Sequence, residues 1–372
     1  MRRGENIYKR KDGRWEGRYH KGRKQNGAIK YGYVYGNTLQ EVKNKLYPLK
    51  AKYQKINQTH GEAALSLFEW VMYWLPSIKR EVKLSTYAGY EYKMKKYILP
   101  IAGEVSLNEL STPVCQKMID DLENTLSISS IHVVFQVFNR CLRAACGENL
   151  IRKNPLESVI LPKKKKIRVR ALTKMEQKNL EKSALEAGEK GLPVLLALYT
   201  GMRIGEIAAL KWQDIDLEEQ LIQVSRTFQR VPITYEKHST QLIMAGAKTE
   251  KSIRTIPIGN KITHLLAEQK EKTQGEYVFS VKNQPCEPRL LTYYFHKIRA
   301  KAGLEQVHFH QLRHSFATRC LELKADIPSV SAILGHASAK TTLDFYADTM
   351  LEQRISVVYE VETNLKLPAL TM

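Results

Sequence analysis

The chain has 372 residues, 43% of them hydrophobic and 26% charged, an ordinary globular balance with room for two or three domains. Its 59 Lys and Arg outweigh 38 Asp and Glu, and a net charge of +21 points to a polyanionic partner, nucleic acid ahead of an anionic membrane surface. No run reaches the roughly eighteen apolar residues of a membrane span, and the opening MRRGENIYKRKDGRWEG lacks the apolar core of a signal peptide. Cys115, Cys141, Cys146, Cys286 and Cys320 form no CxxC pair, which fits reduced thiols in a cytoplasmic protein.

Residues 1–60 carry sixteen Lys or Arg against four Asp or Glu. Alternation over Arg14–Tyr19 and Tyr31–Tyr35, punctuated by Gly13, Lys21-Gly22 and Asn26-Gly27, predicts about three short strands. Thr38 with Glu41 three residues on reads as a capping box opening a helix to about Tyr53. Such a basic sheet with interleaved aromatics suits a duplex, because a β-ribbon fits the major groove. Asn57–Glu62 reads as a linker.

From Leu65 to about Asn154 the pattern is helical. Leu67, Trp70, Val71 and Trp74 form one stripe and Tyr87, Tyr90, Met94 and Tyr97 another, both expected in the core. Pro100 is expected to stop the second helix. A third begins at Val114 after Ser111-Thr112-Pro113, and a fourth spans Ile128–Ala145. Lys93, Lys95 and Lys96 make either a phosphate-facing or a solvated face. Leu161-Pro162 followed by Lys163 to Lys166 marks a self-repelling basic linker, able to strap across a phosphate backbone. Thr173-x-x-Glu176 then opens a new helix.

In the last part, Gly201 gives a permissive turn before Arg203, and Glu206 follows one turn on, placed to hold Arg203. Strands at Leu221–Phe228 and Arg254–Ile258 suggest a sheet with Lys248 at a turn, where a lysine against a phosphate can protonate a departing alkoxide. His310 and Arg313 share a helix face and can reach one anion together. His336 and Tyr346 follow; the arginine fork can bind two phosphate oxygens and the phenol can act as an oxygen nucleophile. A metal site at His308, His310 and His314 lacks further ligands at suitable spacing, and His308 and His314 read better as core histidines.

Five pieces, TGMRIGE with Arg203, the Lys248 hairpin, HQLRHSFAT with His310 and Arg313, LGHAS with His336 and LDFYA with Tyr346, stand in order over about 172–350. In these the chain resembles a tyrosine recombinase of the lambda-integrase family, of the phage or conjugative-transposon type. The resemblance implies that Arg203, His310, Arg313 and His336 surround a scissile phosphate. It further implies that Tyr346 attacks to leave a 3′-phosphotyrosyl link, that Lys248 protonates the leaving 5′ oxygen, and that no metal, cofactor or ATP takes part. Lys251 stands three residues from Lys248 and competes with it for that role.

The expected architecture is multidomain α+β. A small basic three-stranded sheet plus helix (1–58, arm-type DNA binding) precedes an all-α core-DNA-binding domain (63–160). A basic linker (161–170) leads to a mainly α catalytic domain with a small antiparallel sheet (171–350). The tail at 351–372 is expected by analogy to pack on a neighbouring subunit, with folding on its own domain as the alternative. The implied partners are double-stranded DNA at core and arm attachment sites, three further copies in a homo-tetramer on DNA, an excisionase and a DNA-bending protein, in a bacterial cytoplasm at the nucleoid. Competing readings are a type IB topoisomerase-like enzyme, a housekeeping chromosome-dimer recombinase and an architectural DNA-binding protein with a decayed site.

Overall fold

The computed structural model describes residues 6–24, 26–164, 170–234, 239–246, 253–282, 284–336, 338, 342–343 and 358–363, the side chains of 232–234 and 239 excepted. The chain divides into two compact units, one drawn from 1–165 with 231–240 and the other from 166–230 with 241–372.

The first unit opens with an antiparallel meander, β1 (Ile7–Lys9), β2 (Trp15–Arg23) and β3 (Ile29–Gly36). Gly17 pairs with Val34 on the face that meets α1 (Leu39–His60), and a Cβ on Gly17 would stand 2.8 Å from Val42 Cγ1, so the missing side chain sets how closely sheet and helix approach. Alternation sends Tyr8, Arg18, Tyr31, Tyr33 and Tyr35 to the opposite face. There the Arg18 guanidinium lies 4.3 Å from the Tyr31 ring centroid and 5.7 Å from that of Tyr8.

Thr38 caps α1 as expected, accepting from Glu41 N at 3.1 Å. The helix, however, runs to His60 through Pro48, past the expected end near Tyr53 and into the expected linker. Tertiary contacts hold those extra turns: Tyr53 donates to Glu109, and Asn57 Oδ1 accepts from Asn108 Nδ2 at 2.7 Å. Asn108 also donates to Lys21 O at 3.0 Å, and Ala64 N donates to Arg23 O at 2.6 Å, so the sheet is tied to the chain beyond the helix.

The helical part comprises α2 (Leu67–Ile78), α3 (Leu84–Lys93), α4 (Leu99–Ala102), α5 (Thr112–Glu123) and α6 (Ile128–Gly147). Trp70, Trp74, Met94, Ile98 and Phe138 fill its core, while Tyr87, Tyr90 and Tyr97 pack only partly against it. Pro100 does not end the helical run. A π-helical turn at Met94–Ile98 shifts the register, with Leu99 N bonded to Met94 O, and Pro100 falls in the first turn of α4, where a missing N–H costs little.

The second unit begins with α7 (Lys174–Glu186), held by the expected Thr173–Glu176 capping box, then α8 (Leu192–Thr200) and α9 (Ile204–Ala208). β4 (Ile215–Asp216) pairs with β5 (Leu221–Val224) in a sheet whose third strand arrives later. Between β5 and that strand the chain runs through β6 (Arg226–Thr234) and β7 (Ser239–Gly246), an unexpected two-stranded sheet whose residues 231–240 are grouped with the first unit. β8 (Arg254–Pro257) then completes the antiparallel order β4-β5-β8, with Ile222 opposite Ile256. The expected pairing of flanking strands is therefore present, while Lys248 and Lys251 lie outside the described residues. α10 (Asn260–Lys272), β9 (Ser280–Val281), β10 (Gln284–Pro285), α11 (Pro288–Lys301), α12 (His310–Glu322) and α13 (Ile327–Leu334) follow. Leu196, Ile222, Ile256, Phe295 and Leu312 are the centre of this core. Residues 358–363 form a helical segment with Val358, Tyr359 and Val361 exposed; most of the expected exchanged tail, and part of the basic linker, lie outside the described residues. No described helix is long and apolar enough to cross a membrane.

Leu196, on α8, is fully buried. Leu196→Ala is expected to destabilise the second unit by about 2–5 kcal/mol, read from denaturant unfolding, because the side chain leaves a cavity that its neighbours cannot close. A midpoint equal to the parent's would refute that assignment of the core centre.

Candidate active site

Three turns of chain converge in the second unit. At the first, Gly201 ends α8 in the left-handed region (φ 65°), and a Cβ there would strike Leu334 and Phe316 at 2.6 and 2.7 Å. Its carbonyl is thereby free to accept from Arg313 Nη1 at 2.8 Å. Arg203 caps α9, and Glu206, at the third helical position, accepts from Arg203 N and Nη1 at 2.8 Å each. The expected hold of Glu206 on Arg203 is thus seen directly.

At the second, α12 begins with His310 and carries Arg313 one turn on. Arg313 is 2% exposed and spends its fork on two main-chain carbonyls, Gly201 O and Leu334 O, the latter at 2.5 Å. Ser315, also on α12, donates to Gln311 O and accepts from Leu172 N, both at 2.9 Å, which fixes the helix against the start of the unit. His314 sits edge-on to His310 with ring centroids 5.0 Å apart. His308 is not a core residue: it lies exposed in the turn before α12, its N–H bonded to Gln311 Oε1 at 2.7 Å.

At the third, α13 ends at Gly335 (φ 63°), with Gly335 N bonded to Ala332 O and His336 N to Ser331 O, a Schellman ending that turns the chain sharply before His336. His336 Nδ1 lies 2.8 Å from Thr342 Oγ1, which is 2.7 Å from Ser331 Oγ. Tyr346 lies outside the described residues.

Arg203, Arg313, His310 and His336 lie close enough to act on one another electrostatically. Burial, followed by repulsion from Arg203, pushes the Arg313 guanidinium down to about 9, so it remains charged at neutral pH but at a cost. His336, half-buried, is lowered to about 4 by burial and then by Arg313 and Arg203; His310, exposed at the start of α12, is lowered by partial desolvation, then Arg313 and Arg203. Both imidazoles are neutral at pH 7. Burial alone would raise the Glu206 carboxyl, but hydrogen bonding and attraction to Arg254, with Arg203 behind it, hold it at about 2. The result is two neutral bases beside partly uncompensated arginines, an arrangement that favours an entering anion. Among the described residues no group of three or more His, Cys, Asp or Glu gathers to hold a metal.

Arg254 was not singled out from sequence. Its guanidinium forks onto Glu206 at 3.1 and 2.8 Å and its Nε donates to Ile333 O at 2.6 Å. A signal was available: alternation along β8 puts Arg254 on the inward face with Ile256.

Residues 165–352 match the model of the phage integrase family, and residues 66–123 match that of the phage integrase N-terminal SAM-like domain. The chain belongs to the phage integrase family. It is an enzyme, a tyrosine site-specific recombinase, as its sequence motifs implied. The recombinase is 26% identical over 366 residues to a tyrosine recombinase XerC-like protein of Caldanaerobacter subterraneus subsp. tengcongensis, covering 91% of this chain and 93% of that one. It is 23% identical over 300 residues to the ICEBs1 integrase of Bacillus subtilis, covering 73% and 76%. Among solved structures, the Tn1549 transposon integrase with a circular intermediate DNA has a TM-score of 0.67 at 18% identity, over 80% of this chain and 99% of that one. A lambda integrase tetramer bound to a Holliday junction has a TM-score of 0.59 at 20% identity, over 91% and 94%. The fold is therefore that of the integrases.

His310, His314 and His336 all sit below their ordinary value of 6.5, His314 and His336 at about 4. The unfolded chain thus takes up protons before the folded one, and the stability associated with these groups is present above pH 6.5 and lost as pH falls toward and through 4. Unfolding of the DNA-free protein is expected to become easier between pH 7 and pH 4, and His336→Gln to flatten that decline. A decline of unchanged steepness in the variant would count against the half-buried neutral imidazole.

Proposed function

We propose that the recombinase integrates a mobile DNA element into a target site and excises it again, working at the cleft built from Arg203, His310, Arg313 and His336. The observation that carries this reading is the buried Arg313 guanidinium. It has carbonyls for partners, Arg203 and Arg254 as like-charged neighbours, and Glu206 as the facing carboxylate. A phosphodiester is the anion that such a cleft suits.

In the proposed reaction Arg203 and Arg313 hold the nonbridging oxygens and offset the charge that grows on them. Tyr346 Oη attacks phosphorus while its proton passes to His310, which is neutral and able to accept it. The P–O5′ bond breaks, Lys248 protonates the 5′ oxygen, and the 3′ end stays on Tyr346 as a phosphotyrosine. A 5′-hydroxyl of another strand then attacks that ester and releases the tyrosine. One phosphodiester is exchanged for another at each step, so ATP is not needed.

The partners follow from the same reading. Core DNA would be held by the helical part at 63–160 and the catalytic part at 171–350. Arm DNA would be read by the sheet at 1–58 through the face bearing Tyr8, Arg18, Tyr31, Tyr33 and Tyr35. The neighbours solved with DNA, including a tetramer on a Holliday junction, support a homo-tetramer on DNA. An excisionase and a DNA-bending protein belong to this proposal as helpers, and the bacterial nucleoid as its location. A second reading, resolution of chromosome dimers, is favoured by the relatives named tyrosine recombinase XerC.

The test is trapping on a nicked duplex carrying candidate crossover DNA, followed by denaturing electrophoresis and peptide mapping. The parent is expected to give a covalent adduct at Tyr346, and Tyr346→Phe to bind DNA and give none. A persistent adduct in Tyr346→Phe would move the nucleophile elsewhere. Arg313→Ala is expected to lower cleavage by about 10²–10³-fold, the scale for losing one charge-stabilising donor. Its duplex affinity should change little, because many other cations hold the backbone. Arg18→Ala combined with Tyr33→Ala should weaken arm-site binding and spare the crossover site; equal loss at both would make the sheet a general clamp, as dimer resolution without arm sites would require.

A further inference from the structure

We propose that Arg254 is a positioning residue for phosphate activation, keeping Glu206 from cancelling the charge of Arg203 and fastening the turn before His336. The inference rests on the reading of the cleft given above and goes one step behind it.

The argument begins with a conflict. Glu206 orients Arg203 through bonds from both its main chain and its guanidinium. Yet a carboxylate beside the arginine that must attract a phosphate also opposes the incoming anion. Glu206 is 7% exposed, so water screens it poorly, and with Arg203 as its sole partner the pair would be near neutral overall. Arg254 changes that balance. It is also 7% exposed and meets both Glu206 oxygens, Nη1 to Oε1 at 3.1 Å and Nη2 to Oε2 at 2.8 Å. The triad then carries one net positive charge, and the carboxylate keeps its lone pairs engaged on both sides.

The second observation concerns the other end of the guanidinium. Arg254 Nε donates to Ile333 O at 2.6 Å, in the last turn of α13. Gly335 closes that turn with φ 63°, and a Cβ built on it would stand 3.0 Å from Arg254 Cδ and 3.2 Å from Nη1. The glycine therefore leaves room for the arginine to lie against the turn that leads into His336. One side chain on β8 thus meets the carboxylate in α9 that holds Arg203 and the turn that precedes His336. Lysine cannot reproduce this, since a single ammonium lacks the planar fork that serves the carboxylate and the carbonyl together.

The test uses the full-length protein on the nicked crossover duplex, with either a natural phosphate or an uncharged methylphosphonate at the scissile position. Variants are Arg254→Gln, Arg254→Lys, Glu206→Gln and the double variant, each assayed at a temperature where circular dichroism shows it folded. Arg254→Gln is expected to slow single-turnover cleavage of the phosphate by about 10²-fold, as for loss of preorganised charge, with DNA affinity retained, and Arg254→Lys to recover only part of the rate. Adding Glu206→Gln to Arg254→Gln should restore part of the rate, because the unneutralised carboxylate is gone. On the methylphosphonate, where no phosphate charge has to be met, the Arg254→Gln defect should shrink to a few-fold. An equal defect on both substrates, or a double variant whose loss is the product of the single losses, would overturn the proposal in favour of a purely structural arginine. If the parent itself gives no adduct at Tyr346, the reading of the cleft fails and this inference falls with it. If the parent reacts and Arg254→Gln reacts as fast, this inference alone fails.

Discussion

Burying a guanidinium without giving it a carboxylate of its own is the constraint on which the second unit turns. Arg313 is all but sealed from water and is satisfied by two main-chain oxygens, which supply hydrogen bonds but no negative charge. Such a group is expensive to hold in an empty protein and becomes comfortable when an anion arrives. In the proposed reaction that anion is the scissile phosphate, and the cost of the unpaired charge is what its arrival would relieve. The neutral histidines beside it belong to the same balance, since protonating either would add another positive charge to an already crowded cleft.

That arrangement explains the local architecture. Each of the two carbonyls that meet Arg313 lies where a helix is ended by a left-handed glycine, Gly201 after α8 and Gly335 after α13. A helix that simply continued would turn the same oxygens into its own ladder. Ser315 and Leu172 then lock α12 to the beginning of the unit, so the arginine is aimed by a packed helix rather than by a loop. Rigid placement matters because a charge displaced by an ångström in a poorly screened cleft loses much of its value.

The residues proposed to meet the phosphate stand out in sequence because their motifs are local: Gly201 with Arg203 and Glu206, or His310 with Arg313, lie within one or two turns of each other, while Lys248 and Tyr346 lie outside the described residues. The fold was legible where pattern and cap agreed, as at Thr173–Glu176 and along Leu67–Trp74. It was not legible where a distant partner decides. The last turns of α1 depend on Asn108 and Glu109, the helical run through Pro100 depends on a π-turn, and β6–β7 fills what looked like a simple turn. Arg254 escaped for the same reason. Its meaning comes from Glu206 and Ile333, 48 and 79 residues away.

The hydroxyls behind His336 have a consequence for how a proton can be handled. Ser331 Oγ, Thr342 Oγ1 and His336 Nδ1 form a short chain in which every contact is between groups able to act in either direction. Reversing the polarity of the chain requires both hydroxyls to rotate and the ring proton to pass between Nε2 and Nδ1 by way of solvent or a bound partner. In one sense Nδ1 receives a hydrogen bond and the ring carries its proton on Nε2; in the other Nδ1 donates and Nε2 is left with a lone pair. The tautomer of His336 is thereby coupled to the orientation of two hydroxyls behind it.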